Sequence, residues 1–391
     1  MLVGPHEPDG AAPCLRCVEM HKGAVVWESM AGDEGVRQLK DLRVVSHLVV
    51  FGQRTSLIAL DLATGQQRYV VHLSDRLDAE ASGEARGALV YETPGGLVAK
   101  TVGGSLLTFD PESGAVRARR VFAPRMQAVP TGTGAVVARY DVGGRNVLEV
   151  LDPQTLQPTA AFGKAWWSDE ATVQRVHVFG ATLVAYVDRW GLLGAKGVLV
   201  VDLPSRQKVL FEREQGLDED MRPALGQSCV FYTSMDGVLH RAPTGASTPP
   251  MPGHRFAAVQ AAGPTLLAAM VDGRGAARVV GLDAGTLQPR YDCGWVQPPS
   301  HHTPIPHRDP HRYFAVVQSV AFVVAMDGSA DGELRAFDVP TGTLLWKRAL
   351  TDVGALDDWH PLGNCLVMRS ALGVLVLDAS SGAMVAAYAP K

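Results

Sequence analysis

Two stretches of this sequence hold residue types that could do chemistry. The first is Cys14-Leu-Arg-Cys17, a C-x-x-C with Pro13 before it and His21 after it. Thiolates at that spacing suit half of a tetrahedral zinc site, so zinc is the one cofactor this pair would hold. The chain has no second C-x-x-C, and two further ligands would have to come from elsewhere. On a strand, alternation puts Cys14 and Cys17 on opposite faces, and the pair then reads as two ordinary thiols. The second stretch is C-G-W-V-Q-P-P-S-H-H-T-P-I-P-H-R-D-P-H-R-Y, residues 293–313, with Trp295, His301, His302, His307 and His311. His307 and His311 are spaced to ligate a metal from one helix face, with Cys293 in support, but Pro310 between them opposes a helix. The favoured reading is a stiff, extended recognition loop.

Other chemistry is excluded more simply. No G-x-S-x-G, H-E-x-x-H or P-loop occurs. Net charge −4 and the lack of a Lys/Arg cluster argue against nucleic acid as partner. No apolar run reaches the length of a membrane span, and the first residues do not read as a signal peptide. Five scattered cysteines do not form a disulfide framework. The expectation is a cytoplasmic protein without membrane insertion.

The elements that position these residues come from a repeat. The phrase S-L-I-A-L-D-L-A-T-G-Q-Q-R-Y-V-V (56–71) returns as E-L-R-A-F-D-V-P-T-G-T-L-L-W-K-R (333–348). Its Asp recurs at Asp61, Asp110, Asp152, Asp202, Asp283, Asp338 and Asp378, with Glu19 and Arg241 in degenerate copies. A period of roughly 40–45 residues is that of four-stranded propeller blades. The anchor Asp can start a turn by accepting backbone N–H groups. Four residues on stands Gly23, Gly65, Gly114, Gly245, Gly342 or Gly382, where positive φ is expected, while Leu156 and Leu287 suggest a second turn type. Eight residues on stand Trp27, Tyr69, Tyr291 and Trp346. The reading is all-β: a single eight-bladed β-propeller of four-stranded antiparallel blades over 36–391, with seven blades as the alternative. Residues 1–35 are expected to add an extra hairpin to it.

The phrase A-F-D-V-P-T-G-T-L-L-W (336–346) resembles the repeat of the pyrroloquinoline-quinone-type (PQQ-like) β-propellers. That resemblance implies the fold and leaves function open, because the family holds both quinoprotein dehydrogenases and non-enzymatic scaffolds. The enzymes of the family hold their quinone with a calcium ligand set, a stacking Trp and two adjacent cysteines. Cys14, Cys17, Cys229, Cys293 and Cys365 include no adjacent pair. The resemblance therefore points to the scaffold branch.

Long connections fall at 74–87, 163–172, 212–222, 296–312 and 351–359. In a propeller such connections share one face with the turns between second and third strands. That face is expected to be acidic (Asp75 and Asp218 among others) and aromatic, with Trp166, Trp167, Trp295 and Trp359 as anchors beside the histidines. The function expected is a non-enzymatic scaffold or sensor subunit. It would bind a partner protein within a multi-protein complex through that face. The alternative is a metal- or quinone-dependent enzyme using the same face.

Overall fold

The computed structural model describes residues 2–6, 14–19, 24–29, 42–53, 56–73, 89–93, 96–101, 104–122, 127–131, 136–142, 145–162, 171–189, 196–205, 207–214, 222–227, 229–234, 236–242, 246–248, 253–274, 276–296, 313–325, 332–351, 356–370 and 372–388. The chain forms two compact units, one of Met1–Leu192, Val200–Val209 and Lys391, the other of Leu193–Leu199 and Leu210–Pro390. The described elements are antiparallel strands in sequence-ordered meanders, and the fold is an all-β β-propeller.

The blade count is corrected. Six sheets stand as separate four-stranded blades, not eight or seven: 43–72, 89–121, 127–162, 171–214, 224–247 and 356–388. The strands of 254–296 and 315–349 form one eight-stranded sheet, because Val296 at the end of one meander pairs with Ala325 of the next. The N-terminal hairpin does not stand alone either. Strand Leu2–His6 pairs with Cys14–Val18, and a three-stranded sheet results. Counting anchor residues counts hairpins, and hairpin spacing carries no information on which edges pair.

The anchor turn is built as its residues require. Oδ1 of Asp61 accepts the N–H groups of Ala63 (3.0 Å) and Thr64 (2.9 Å) and the Thr64 hydroxyl (3.0 Å). Its Oδ2 accepts Arg68 Nη2 at 2.6 Å. Asp110, Asp152, Asp283 and Asp378 hold the same pair of N–H groups. The Arg68 guanidinium, with help from Thr64 and Ala63, lowers the Asp61 carboxyl to about 2. The hydroxyls of Ser380 and Ser381 lower Asp378 to about 2 as well. Leu156 and Leu287 do not mark a second turn type. They take the glycine's place in the same turn, at φ 56° and 59°, and the Leu156 N–H returns to the Asp152 carbonyl at 2.9 Å.

The residue after the anchor ties three pieces together. Where it is not proline, as it is at Pro111 and Pro153, its N–H can bond the first turn of its own meander, as from Leu62 to His47 (2.7 Å), Val339 to Ser319 (2.8 Å) and Ala379 to Asn364 (2.9 Å). Its carbonyl accepts from the aromatic of the preceding sheet. Trp27 Nε1 reaches Leu62 (2.8 Å), Tyr69 Oη reaches Pro111 (2.8 Å), Tyr291 Oη reaches Val339 (2.5 Å) and Trp346 Nε1 reaches Ala379 (3.0 Å). Each ring lies on the turn glycine. A β-carbon at Gly382 would stand 2.6 Å from Cδ2 of Trp346, and its φ of +69° also favours glycine. Where the earlier sheet offers alanine, the later turn offers leucine: Leu156 lies in the buried cluster that Ala118 borders, and Leu287 in the one that Ala246 borders. At the first of these junctions Arg120 takes over the hydrogen bond, reaching the Leu156 carbonyl at 3.2 Å and Glu149 at 2.8 Å.

Two outcomes follow from this construction. Trp346→Ala should cost about 3 kcal/mol, the low end for losing a packed indole. Gly382→Ala should cost about 1–3 kcal/mol through clash and strain. The double variant should fall short of the sum by about 1 kcal/mol or more, since the clash disappears with the ring. Strictly additive urea midpoints would refute the lock. The second outcome concerns acid. The folded Asp61 carboxyl lies below its ordinary 3.8, so its stabilisation is complete above that pH and is lost as pH falls through about 2. Asp61→Asn should lower the melting temperature at neutral pH and have no effect below pH ~2. An equal effect at both would show that the carboxylate charge is not involved.

Candidate interaction surface

In the sheet of 254–296 the Ala284 N–H bonds the Pro264 carbonyl at 2.9 Å and ties the first turn to the third. The second turn lies at the other end, where Trp295 pairs with Arg278. Its sheet is built from strands His254–Ala262, Thr265–Asp272, Ala277–Asp283 and Pro289–Val296. Cross-strand pairing sets Phe256, Met270, Arg278 and Trp295 in one row, and paired residues share a face. Phe256 and Met270 are buried against the sheet of 224–247.

A one-residue irregularity decides which way Trp295 points. Val279 pairs with Gly294 but Val280 with Asp292, so Cys293 is the extra residue of a bulge. Gly294 accommodates it at φ +88°. Strict alternation would put Trp295 on the face of Tyr291 and Cys293, which packs toward the sheet of 315–349. The bulge reverses that parity and brings Trp295, Asp292 and Arg278 onto one face.

Trp295 is 42% exposed and held on both sides. The Arg278 guanidinium carbon lies 5.9 Å from the indole centroid, within cation–π range. The imidazole of His254 lies 6.3 Å away at 36°. Arg278 is itself fixed by an ion pair from Nη2 to Asp292. Burial works against the Asp292 charge, but bonds from Arg278 and from the Gly294 N–H (2.7 Å) outweigh it and hold the carboxyl below its ordinary value. The same bond to Asp292 raises the Arg278 guanidinium. The neighbouring turn is closed by Asp272, whose Oδ1 accepts the N–H groups of Arg274 (2.9 Å) and Ala276 (2.8 Å).

The adjoining sheet abuts this end. A β-carbon on Gly237 would lie 2.9 Å from Cβ of Arg255. Just before it stands a Ser, Asp and His group that the sequence reading did not single out. The Ser234 hydroxyl bonds Asp236 and lies 2.9 Å from Nε2 of His240, whose ring stacks on Tyr232. In a hydrolytic triad the carboxylate orients the imidazole and the imidazole takes the serine proton. Here the Ser234 hydroxyl donates to the carboxylate, which lowers the Asp236 carboxyl, and Ser234 is buried. This group locks a turn.

The structure treats the predicted residues unevenly. Trp166, Trp167, His301, His302, His307 and His311 lie outside the described residues, as do Asp75 and Asp218 of the expected acidic face. Trp359 is 0% exposed and packs in the core between the last two meanders. It is therefore not a surface anchor. Cys14 and Cys17 lie three apart on strand Cys14–Val18 and face opposite ways. Cys17 packs with Leu15 and Trp27, and its thiol meets the Leu62 carbonyl at 4.0 Å. Burial raises both thiols, and it pushes Cys293 up to about 12. Among the described residues no three His, Cys, Asp or Glu side chains converge on a point that could hold a metal.

Neither a scan of protein-family models nor a search of curated proteins returns a match to the chain. The chain is similar in fold to the crystal structure of the eukaryotic initiation factor, with a TM-score of 0.62 at 9% identity over 99% of this chain and 97% of that one. BamB from Moraxella catarrhalis gives a TM-score of 0.48 at 15% identity over 96% and 95% of the two chains. The dihydro-heme d1 dehydrogenase NirN in complex with DHE gives 0.48 at 14% over 90% and 75%. At such identities the likeness speaks to fold alone.

The thiols offer a direct check. Iodoacetamide at neutral pH should label Cys365, the one cysteine that is not fully buried, well before the others, which should react only on unfolding. Mass spectra showing Cys14 or Cys17 alkylated as fast as Cys365 in the folded protein would contradict the burial of that pair.

Proposed function

We propose that this protein is a non-enzymatic propeller subunit, of the PQQ-like scaffold kind, that holds a partner protein at the end of the 254–296 sheet. The observation that carries the reading is Trp295, an exposed indole already fixed by Arg278, Asp292 and a bulge. Large aromatic side chains dominate the energetics of protein interfaces. One that is ordered before binding loses less conformational entropy when a partner covers it. The paired arginine and aspartate beside it supply polar groups for a rim. The partner belongs to a multi-protein complex in this reading, and five free cysteines suit a reducing compartment such as the cytoplasm.

Tagged protein should capture its partner from a lysate of the native host, and Trp295→Ala should weaken that capture by tenfold or more, about 2 kcal/mol at a hot spot. The melting temperature should stay where it was. Leu344→Ala, on an exposed residue of a different meander, serves as control and should leave capture intact. Undiminished capture by the Trp295 variant would remove the basis of the reading.

A further inference from the structure

Any sheet leaves its last strand with an open edge, and an open edge invites another strand. The last strands of the meanders meet this hazard in different ways. Charge stands on Glu28 of 25–29, Arg68 of 67–72, Arg117 of 116–121, Lys208 of 207–214 and Lys347 of 344–349. Pro158 opens 158–162, and 246–247 is two residues long. Strand 289–296 carries Arg290 and Asp292, and its Val296 is paired to Ala325. Met384–Tyr388, which reads M-V-A-A-Y, has none of these devices. It bears neither charge nor proline, and among the described residues its one ladder is with Gly373–Asp378. Met384 is 56% exposed, and Ala387 is exposed as well. The alternation of that ladder shows which backbone groups are left over. The Asp378 N–H turns to the Ala383 carbonyl, so Val376, two residues back, turns the same way and takes up Ala386. The N–H and C=O of Ala387 therefore point out of the sheet.

We infer that strand Met384–Tyr388 pairs edge to edge with the same strand of a second copy of this chain, giving a two-fold dimer. A two-fold axis sets two identical strands antiparallel, the sense of every strand pair among the described residues. With the axis at Ala386, the free backbone groups of Ala387 fall opposite Val385 of the other copy, and two alanines meet at the centre. A neutral strand has nothing with which to repel its own copy. The charged edges would instead set like charges close together across the axis, which is unfavourable. The same neutrality offers no charge by which the strand of a different protein could be selected. Each copy has one such edge among its described last strands, so the pairing closes at two copies and does not run on into a filament. This contact is independent of the docking role given to Trp295.

The test uses the full chain alone in solution. Sedimentation velocity over a range of micromolar concentrations should show a monomer passing into a dimer. Ala387→Lys should raise the dissociation constant by at least about tenfold, because lysine is a device that keeps natural edges apart. Met384→Lys should act in the same direction. Leu372→Lys, also exposed but in the turn between the second and third strands of the same sheet, should leave the dimer intact. Amide exchange reads the edge in the wild-type protein, with no need for a variant to fold. Exchange of the backbone at 385–387 should slow as concentration rises through the dissociation constant. A chain that stays monomeric throughout overturns the inference, and it is also what a strand from another protein as occupant predicts. So does a dimer whose 385–387 amides exchange equally fast at all concentrations. A dimer lost in Leu372→Lys but kept in Ala387→Lys and Met384→Lys would place the contact elsewhere and refute the edge.

Discussion

Four junctions of the arrangement depend on one contact: an aromatic ring laid on the backbone of the next meander's turn, Trp27 on Gly65, Tyr69 on Gly114, Tyr291 on Gly342 and Trp346 on Gly382. The ring needs a glycine beneath it, because a β-carbon would occupy the same space. It also needs a bare carbonyl within reach of its polar edge, and the residue after the anchor provides one. That carbonyl is in place only because the anchor carboxylate has closed the turn. Dispersion, turn geometry and a directional hydrogen bond therefore converge on a few atoms, and the sheets pack face to face as a result. The face they present to one another is the buried one, which leaves the far ends of the strands free to vary.

The leucine junctions show that the constraint is on volume and not on residue type. Leu156 and Leu287 accept a left-handed backbone that β-carbon-bearing residues usually avoid. The strain is offset by burial, since both side chains sit inside hydrophobic clusters bordered by an alanine of the earlier sheet. Arg120 then restores the polar link to the Leu156 carbonyl. Ring on glycine and alanine on leucine are two solutions to the same packing problem, and mixing their halves would give a clash or a hole.

The turns and hairpins were readable because their residues act within a few positions of one another. Asp61 meets Ala63 and Thr64, and the aromatic eight residues on falls on the same period. What escaped was every feature decided by an edge or by parity. The pairing of Val296 with Ala325 depends on where two sheet ends meet, and no local pattern announces it. Leu156 looked like a different turn because side-chain volume was read as backbone preference. Trp359 looked like a connector residue, yet its strand carries it into the core. For Trp295 the exposed position was anticipated without its cause. The signal was present in Gly294, since a glycine inside a strand often marks a bulge. His254 and Arg278 are distant from Trp295 in sequence and meet it only when their strands are set side by side.

The bulge at Cys293 has a genetic side. Substitutions between Tyr291 and Trp295 would leave the indole on its present face so long as the bulge survives them, and Gly294, at φ +88°, is the position most exposed to that risk. Loss of the Cys293 codon would remove the bulge and its extra residue together, and Trp295 would stay opposite Arg278. Straightening the strand at full length would instead carry the indole to the face of Tyr291. The surface is thus more tolerant of dropping one letter than of ironing out the irregularity that absorbs it. Among descendants of this chain, a shortened strand without the glycine and a full-length strand with it should both keep the indole outside.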